Sequence, residues 1–250
     1  MKRRINILGV GFDNLTIDEA VNAAVELTEQ GGYCVTPNPE IVFIARKDAE
    51  FADAVNNASL VVADGIGVIY AAKILGTPLK AKVTGIDLAE RVIQRLAEDN
   101  NNRGVFLFGA KPGIAEIAAA NLTAKYPNLK IAGIQNGYDY EERAVIDRIA
   151  ELNPAFAFVC LGMKKQELFM AKAFSEFKPR NVTCLMAGLG GALDTFAGTV
   201  ARAPESWRRL NLEWLYRLIK QPGRIGRMIK LPLILILALK ERIFGRADNI

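Results

Sequence analysis

Asp64 is the carboxylate whose neighbours best equip it to react. It follows the apolar run 60–63 and precedes Gly65-Ile66-Gly67, which sets it at a strand end where glycines let a ligand approach the backbone. A carboxylate there is suited to taking a proton from a sugar hydroxyl as that oxygen attacks a neighbouring glycosyl carbon. An ordinary aspartate, with a pKa of ~3.9, is a weak base at neutral pH, and burial or an anionic neighbour raises it. Capping of the next helix is the other reading of Asp64. Thr36-Pro37-Asn38-Pro39 adds a hydroxyl and a carboxamide between two backbone-restricting prolines. Asn38 can present a donor and an acceptor to sugar hydroxyls, or it and Thr36 can organise the start of the helix after Pro39.

Three further segments have the form of strand-to-helix turns. Gly109-Ala110-Lys111-Pro112-Gly113 follows the apolar Phe106-Leu107-Phe108, and backbone N–H groups at the next helix start would receive a phosphate. Gly188-Leu189-Gly190-Gly191 has the same character. Neither fits the GxGxxG or GxxxxGK[ST] pattern, so neither specifies NAD or ATP, and a routine turn explains each equally well. Gly162-Met163-Lys164-Lys165-Gln166-Glu167 is more suggestive, because it follows a very apolar strand. Lys165 is a candidate for phosphate, Gln166 for a base or hydroxyl, and Glu167 for orienting a polar partner. The alternative is a solvated first helical turn, although lysines there gain nothing from the helix dipole.

The tail concentrates the chain's positive charge. Between Arg202 and Arg246 there are 11 Arg and Lys against Glu205, Glu213 and Glu241, while the remaining residues carry 21 basic and 24 acidic side chains. The formal net charge of +5 therefore resides there, pointing to an anionic partner: nucleic acid, phospholipid surface or phosphorylated substrate. Arg217, Arg224 and Arg227 stand at spacings of seven and three, on related faces if the helix is continuous, but Pro222-Gly223 interrupts it. Arginine's rigid donor fork suits a diphosphate. Trp207, Trp214 and Tyr216 interleave with the charge, as in an interfacial amphipathic element, and a docked helix pair is the competing reading. The nine uncharged residues 231–239 are too few to span a bilayer, which takes about 17–25.

The chain contains no histidine. Serine–histidine triads, histidine bases and His-rich zinc sites are thereby excluded. Cys34, Cys160 and Cys184 are spaced for neither a disulfide framework nor a compact metal motif. With 250 residues, 51% of them hydrophobic, the chain can bury a substantial core.

Strands are predicted over residues 5–10, 33–36, 60–63, 105–109, 130–133, 156–161 and 183–188. Helices are predicted from about Ile17, capped by Thr16 with Glu19, after Pro39, and over 87–99, 114–125, 141–152 and 225–244, the last kinked at Pro232. This alternation predicts an α/β, Rossmann-like fold: a mostly parallel sheet with helices on both faces, plus a C-terminal helical, membrane-associating appendage. Residues 1–201 form the catalytic core, with a subdomain division near 1–99 and 100–201, and 202–250 the appendage. Ligands in such folds sit beyond the carboxyl ends of the strands, where the segments above fall. The short apolar run at the start does not make a signal peptide.

The ordered motifs Thr36-Pro37-Asn38, Ala63-Asp64-Gly65-Ile66-Gly67, Thr84-Gly85-Ile86-Asp87, Phe108 to Gly113, Gly162 to Glu167, Gly188 to Gly191, Arg202-Ala203-Pro204, Leu212 to Arg217 and Pro222-Gly223-Arg224 together resemble the WecG/TagA/CpsF family of bacterial glycosyltransferases. The resemblance implies transfer of a sugar from a UDP-sugar to a polyprenyl-diphosphate-linked sugar, with inversion and without a metal. It implies that Asp64 is the base, that Thr36 and Asn38 touch substrate, and that Gln166 is the family's glutamine. It also puts Lys82 at a basic active-site position, and has Arg217, Arg224 and Arg227 close over the site to hold the lipid-linked diphosphate. One departure stands out: Lys164 replaces the family's proline.

The expected activity is thus transfer of N-acetylmannosamine from its UDP-sugar to polyprenyl-diphosphate-linked GlcNAc in cell-surface polymer synthesis. UDP-N-acetylmannosaminuronic acid or another UDP-hexose is the alternative donor. No cofactor is expected. The expected partners are the two substrates and the anionic cytoplasmic membrane face, with peripheral attachment; homo-oligomers are left open and nucleic acid is not expected. A nucleotide-sugar-modifying enzyme, a nucleic-acid-binding module and a membrane scaffold are the competing classes.

Overall fold

The computed structural model describes residues 4–220, Gly226 and residues 230–245, with Arg217 by its backbone only. The chain opens with an antiparallel hairpin, β1 (Ile5–Ile7) and β2 (Val10–Phe12). This corrects the single strand expected over 5–10. Leu8 and Gly9 take positive φ values of 54° and 95°, the backbone of a two-residue hairpin turn. The turn is held by Asn6 Oδ1, which accepts from Gly9 N at 3.0 Å, while Asn56 Nδ2 donates to Gly9 O at 3.1 Å.

Six strands form the main sheet in the order β4-β3-β8-β7-β5-β6. They are β3 (Gly32–Val35), β4 (Leu60–Val61), β5 (Val105–Gly109), β6 (Ile131–Gln135), β7 (Phe156–Cys160) and β8 (Leu185–Gly188), and every pairing is parallel. β5 and β7 are buried at every residue, as strands covered on both faces must be. Their side chains alternate between two cores. Phe106, Phe108, Ala157 and Val159 face one; Val105, Leu107, Phe156 and Phe158 face the other.

The first core is covered by α2 (Pro39–Ala45), α3 (Ala49–Asn56), α4 (Ile66–Ile74), α7 (Glu142–Leu152) and α8 (Lys165–Phe177); the second by α1 (Ile17–Gln30), α5 (Gly85–Glu98), α6 (Ile114–Lys125) and α9 (Ala192–Phe196). Thr16 and Glu19 form the expected capping box of α1. Two short helices, α10 (Glu205–Arg209) and α11 (Glu213–Lys220), follow the core.

The last helix, α12 (Lys230–Phe244), packs on α4 and α2. Pro232 is its third residue, where the missing N–H breaks no intrahelical bond. Ile234 and Ala238 are fully buried and belong to the first core, whereas Leu233, Ile236, Leu239, Ile243 and Phe244 are exposed along the other side. Lys230 bonds Glu40 at 2.7 Å and Arg46 meets Glu241 at 3.4 Å. Among the described residues, no helix is long and apolar enough to cross a membrane.

Candidate active site

Four loops meet at the carboxyl ends of β3, β4 and β8. Val62 N donates to Val35 O at 3.1 Å and Asp64 N to Pro37 O at 3.0 Å, so the turn after β4 runs beside Thr36-Pro37-Asn38. Val83 N donates to Ala63 O at 2.9 Å, which brings Lys82 to the same edge. Gly85, the first residue of α5, completes the junction: a Cβ on it would stand 3.2 Å from Thr36 Oγ1 and 3.3 Å from Leu189. Gly85 thus lets the helix start reach Thr36 and the Leu189-Gly190 turn together.

Each side chain has a distinct environment. Asp64 is half-buried and stands immediately before Gly65, the N-cap residue of α4, whose φ is 101°. Thr36 is buried. Asn38 caps α2, its Oδ1 accepting from Glu40 N at 2.9 Å and Ile41 N at 3.1 Å. Its acceptor is consumed by the helix start, which leaves the amide N–H groups as the part that can address a ligand.

The glycine turns lie along the same sheet edge, beyond Asp64. Gly109 has φ 124°, and a Cβ there would strike the Cys160 carbonyl, so only glycine lets β5 and β7 close at this point. Gly113 caps α6 in a left-handed conformation without a side-chain bond, and open space surrounds Gly113, Gly162 and Gly190. Lys111 is exposed on the same turn. β4 and β5 are four strand intervals apart, roughly 19 Å at the usual spacing. Asp64 and Gly113 therefore lie far apart along the sheet edge, with β3, β8 and β7 between their strands.

Gln166 and Glu167 form a buried brace at that midpoint. Gln166 Nε2 donates to Glu167 Oε1 at 2.8 Å, Gln166 Oε1 accepts from Gly190 N at 3.0 Å, and Glu167 Oε2 accepts from Lys164 N at 2.7 Å. Gly188 is required beneath them, because a Cβ would come within 2.9 Å of Gln166 Nε2. Gln166 thus fixes the Gly190 turn, with one N–H of its amide given to Glu167. Burial pushes the Glu167 carboxyl above the ordinary range, against the pull of its bonds from Gln166 and Lys164. Lys164 adopts φ 71° and donates its N–H, neither of which a proline can do. Its side chain is paired with Asp48 at 2.6 Å. Lys165 projects from the opposite side of α8, lining a cleft of about 1050 Å³ with Leu168 and Lys172, away from Asp64.

Arg224 and Arg227, and the side chain of Arg217, lie outside the described residues; α11 carries the Arg217 backbone. A pair to which the sequence assigned no role is evident instead: Asp87, in the first turn of α5, meets Arg202 at 2.5 Å. The Thr84-to-Asp87 spacing is the visible signal for the helix cap, but nothing in sequence names Arg202 as the partner. No three Cys, Asp or Glu side chains gather around a point among the described residues. All three cysteines are buried, and burial raises each thiol to about 12.

The sheet edge therefore offers a carboxylate, a capping amide and three open glycine turns. The description "Glycosyl transferase WecG/TagA/CpsF family" matches residues 5–248. The chain belongs to this family. It is similar to an N-acetylglucosaminyldiphosphoundecaprenol N-acetyl-beta-D-mannosaminyltransferase of Bacillus subtilis, at 36% identity over 84% of this chain and 80% of the relative. A protein of the same name from Staphylococcus aureus strain MW2 is 36% identical over 93% of this chain and 91% of its own length. A third, from Bacillus spizizenii, is 35% identical over 85% and 80%. The family match extends past Arg227, where the sequence motifs end, into α12.

Proposed function

We propose that this glycosyltransferase moves N-acetylmannosamine from UDP-N-acetylmannosamine to polyprenyl-diphosphate-linked GlcNAc; the names of its relatives supply the sugar and the acceptor. The observation that carries the mechanism is the junction of Asp64 with Thr36, Asn38 and Gly85. Asp64 takes the proton from the acceptor hydroxyl as that oxygen attacks the donor's anomeric carbon. The carbon–oxygen bond to UDP breaks as the new one forms, the electron pair leaving on the diphosphate, and attack from the opposite face inverts the centre. The amide N–H groups of Asn38 and the Thr36 hydroxyl orient the sugars. The uncapped start of α6 at Gly113, with Lys111 and the open turns at Gly109, Gly162 and Gly190, receives the nucleotide diphosphate. Lys82 and the arginines at 217, 224 and 227 offset charge on the acceptor side. No metal or cofactor enters this scheme.

The protein acts at the cytoplasmic membrane face. The support is the apolar stripe Leu233, Ile236, Leu239, Ile243 and Phe244, exposed on a helix whose other side is docked, beside the basic excess of the tail.

UDP release, measured across several UDP-sugars with and without a short-chain polyprenyl-diphosphate-GlcNAc, tests the reading. Release that requires both UDP-N-acetylmannosamine and the acceptor is expected. Consumption of nicotinamide, or a changed sugar still attached to UDP, would replace it with nucleotide-sugar modification.

A further inference from the structure

The chain of bonds through Gln166 and Glu167 has a backbone donor at each end. Lys164 N–H enters at Glu167 Oε2 and Gly190 N–H at Gln166 Oε1, while Gln166 Nε2 donates to Glu167 Oε1 between them. Three bonds closed by two outer donors need three acceptor atoms and one donor from the two side chains. One carboxylate and one amide supply that set. Two amides bring a donor too many, and two ionised carboxylates lack the donor that joins them. A proton on either Glu167 oxygen would face a donor, so the bonds call for the ionised form. Neither neighbouring lysine neutralises it: the Lys164 ammonium pairs with Asp48, and Lys165 lines the cleft on the other side of α8.

These requirements leave the order of the pair open. A carboxylate at position 166 and an amide at position 167 would satisfy the same three bonds. Bracing alone therefore does not explain why the amide stands at the Gly190 turn. The amide nitrogen carries two hydrogens, and Gln166 Nε2 gives one to Glu167. Gln166 is 5% exposed, and a buried N–H left unmet is destabilising. Gly162, whose carbonyl accepts from Gln166 N at 3.1 Å, and Gly190 both border open space. Asp194 already brings one carboxylate to this turn, its Oδ2 standing 3.8 Å from a Cβ built on Gly191. A second carboxylate, at position 166, would repel an anion there. From the proposed transfer reaction, on which this step rests, we infer that Glu167 is a positioning residue for the donor: it fixes the Gln166 amide so that the second hydrogen of Nε2 meets an oxygen of the UDP-sugar's diphosphate at the Gly162 and Gly190 turns. The negative charge is thereby kept one side chain back from the phosphates. One oxygen of Glu167 aims the amide, and the other holds Lys164 at φ 71° and ψ −51°, a strained turn that residues with side chains rarely adopt.

Reversing the pair, Gln166→Glu together with Glu167→Gln, separates bracing from donor contact. Urea unfolding is compared for the full-length parent, Glu167→Gln and the reversed pair. Calorimetric titrations of the same proteins use UDP-N-acetylmannosamine without acceptor, pyrophosphate, and uridine. Glu167→Gln is expected to lower the urea midpoint and the reversal to restore it. The reversed pair is nonetheless expected to bind the UDP-sugar and pyrophosphate about tenfold more weakly, while binding uridine as the parent does. Parental affinity for the UDP-sugar in the reversed pair would overturn the inference and reduce the two side chains to a brace. A urea midpoint no higher than that of Glu167→Gln would overturn the reading of the bonds. Uridine binding weakened in step with the UDP-sugar would signal a general distortion and overturn the diphosphate contact, as would pyrophosphate binding that the reversal leaves intact. Pyrophosphate binding weakened by the reversal, where the parent transfers no sugar, would refute the transfer reaction and leave Glu167 as the positioning residue of an anion site.

Discussion

Arg202 donates to the carboxylate of Asp87 at 2.5 Å, across 115 residues of sequence. Thr84 Oγ1 donates to the other oxygen at 2.5 Å, so one side chain joins the start of α5 to the point where the chain leaves the core. Ala203, the next residue, is buried, and Arg208 adds its charge nearby. The contact fastens the α10–α11 segment beside the active-site edge.

Asp87→Asn is expected to loosen that segment. Burial raises the Asp87 carboxyl, but the bonds from Thr84 and Arg202 outweigh it and hold the group below its ordinary range. The stability it contributes is present above the unfolded value of about 3.9 and is lost as pH falls through the lower folded value. Trypsin cleavage after Arg208 or Arg209 should therefore accelerate in the variant at pH 7, while the parent remains resistant. Equal cleavage rates would remove Asp87 from the fastening role.

Asp64→Asn should lower kcat by about 10²–10⁴, the usual contribution of a general base, with the dissociation constant for UDP-sugar unchanged. Isothermal titration with donor and single-turnover kinetics separate the two quantities. A variant that turns over at the parental rate excludes Asp64 as the base.

Glu167→Gln places a second amide where two N–H donors already point, and should destabilise the protein by about 1–3 kcal/mol. Because burial raises the folded-state pKa of Glu167, its contribution is full below the unfolded value and declines as pH rises through the folded one. Urea unfolding should show a larger deficit for the variant at pH 5 than at pH 7.5. A deficit that grows with pH would contradict the environment described for this carboxylate.

The two sides of α12 should respond oppositely. Ile234→Ala opens a void in the first core and should cost about 2–5 kcal/mol in chemical unfolding. Ile243→Asp, on the exposed side, should leave stability within about 0.5 kcal/mol of the parent and reduce sedimentation with anionic vesicles. Vesicle binding equal to the parent's would deny the stripe a membrane role.

Much of the sheet was legible because β5 and β7 are continuous apolar runs, a pattern that parallel strands buried on both faces require. The hairpin at Leu8-Gly9 was not, since the six residues 5–10 read as one strand and hide a turn whose signal is one glycine and whose stabilising partner, Asn56, is distant in sequence. Asp64 was recognisable from its glycines, but not its place beside Pro37, whose carbonyl accepts the Asp64 N–H at 3.0 Å. The bracing role of Gln166 is likewise invisible in the sequence. Sequence shows that an amide is present, not that Gly190 N–H stands 3.0 Å away to take it. The seat of α12 was equally hidden: the run 231–239 is apolar throughout, and only α4 and α2 select which side is covered.

That seat has a geometric consequence. Gly67 leaves α4 so close to α12 that Leu231 and Ile234 would lie 3.5 Å and 3.6 Å from an added Cβ, and the helix that departs from Asp64 is clamped to the one bearing the outward hydrophobic stripe. With the stripe docked on lipid as proposed, the height of Asp64 above that surface would be built into the protein, like the gap in a calliper. Under the proposed reaction, an acceptor whose linker between sugar and isoprenoid is shorter or longer than that gap would be rejected by reach alone, before any group on the sugar is recognised.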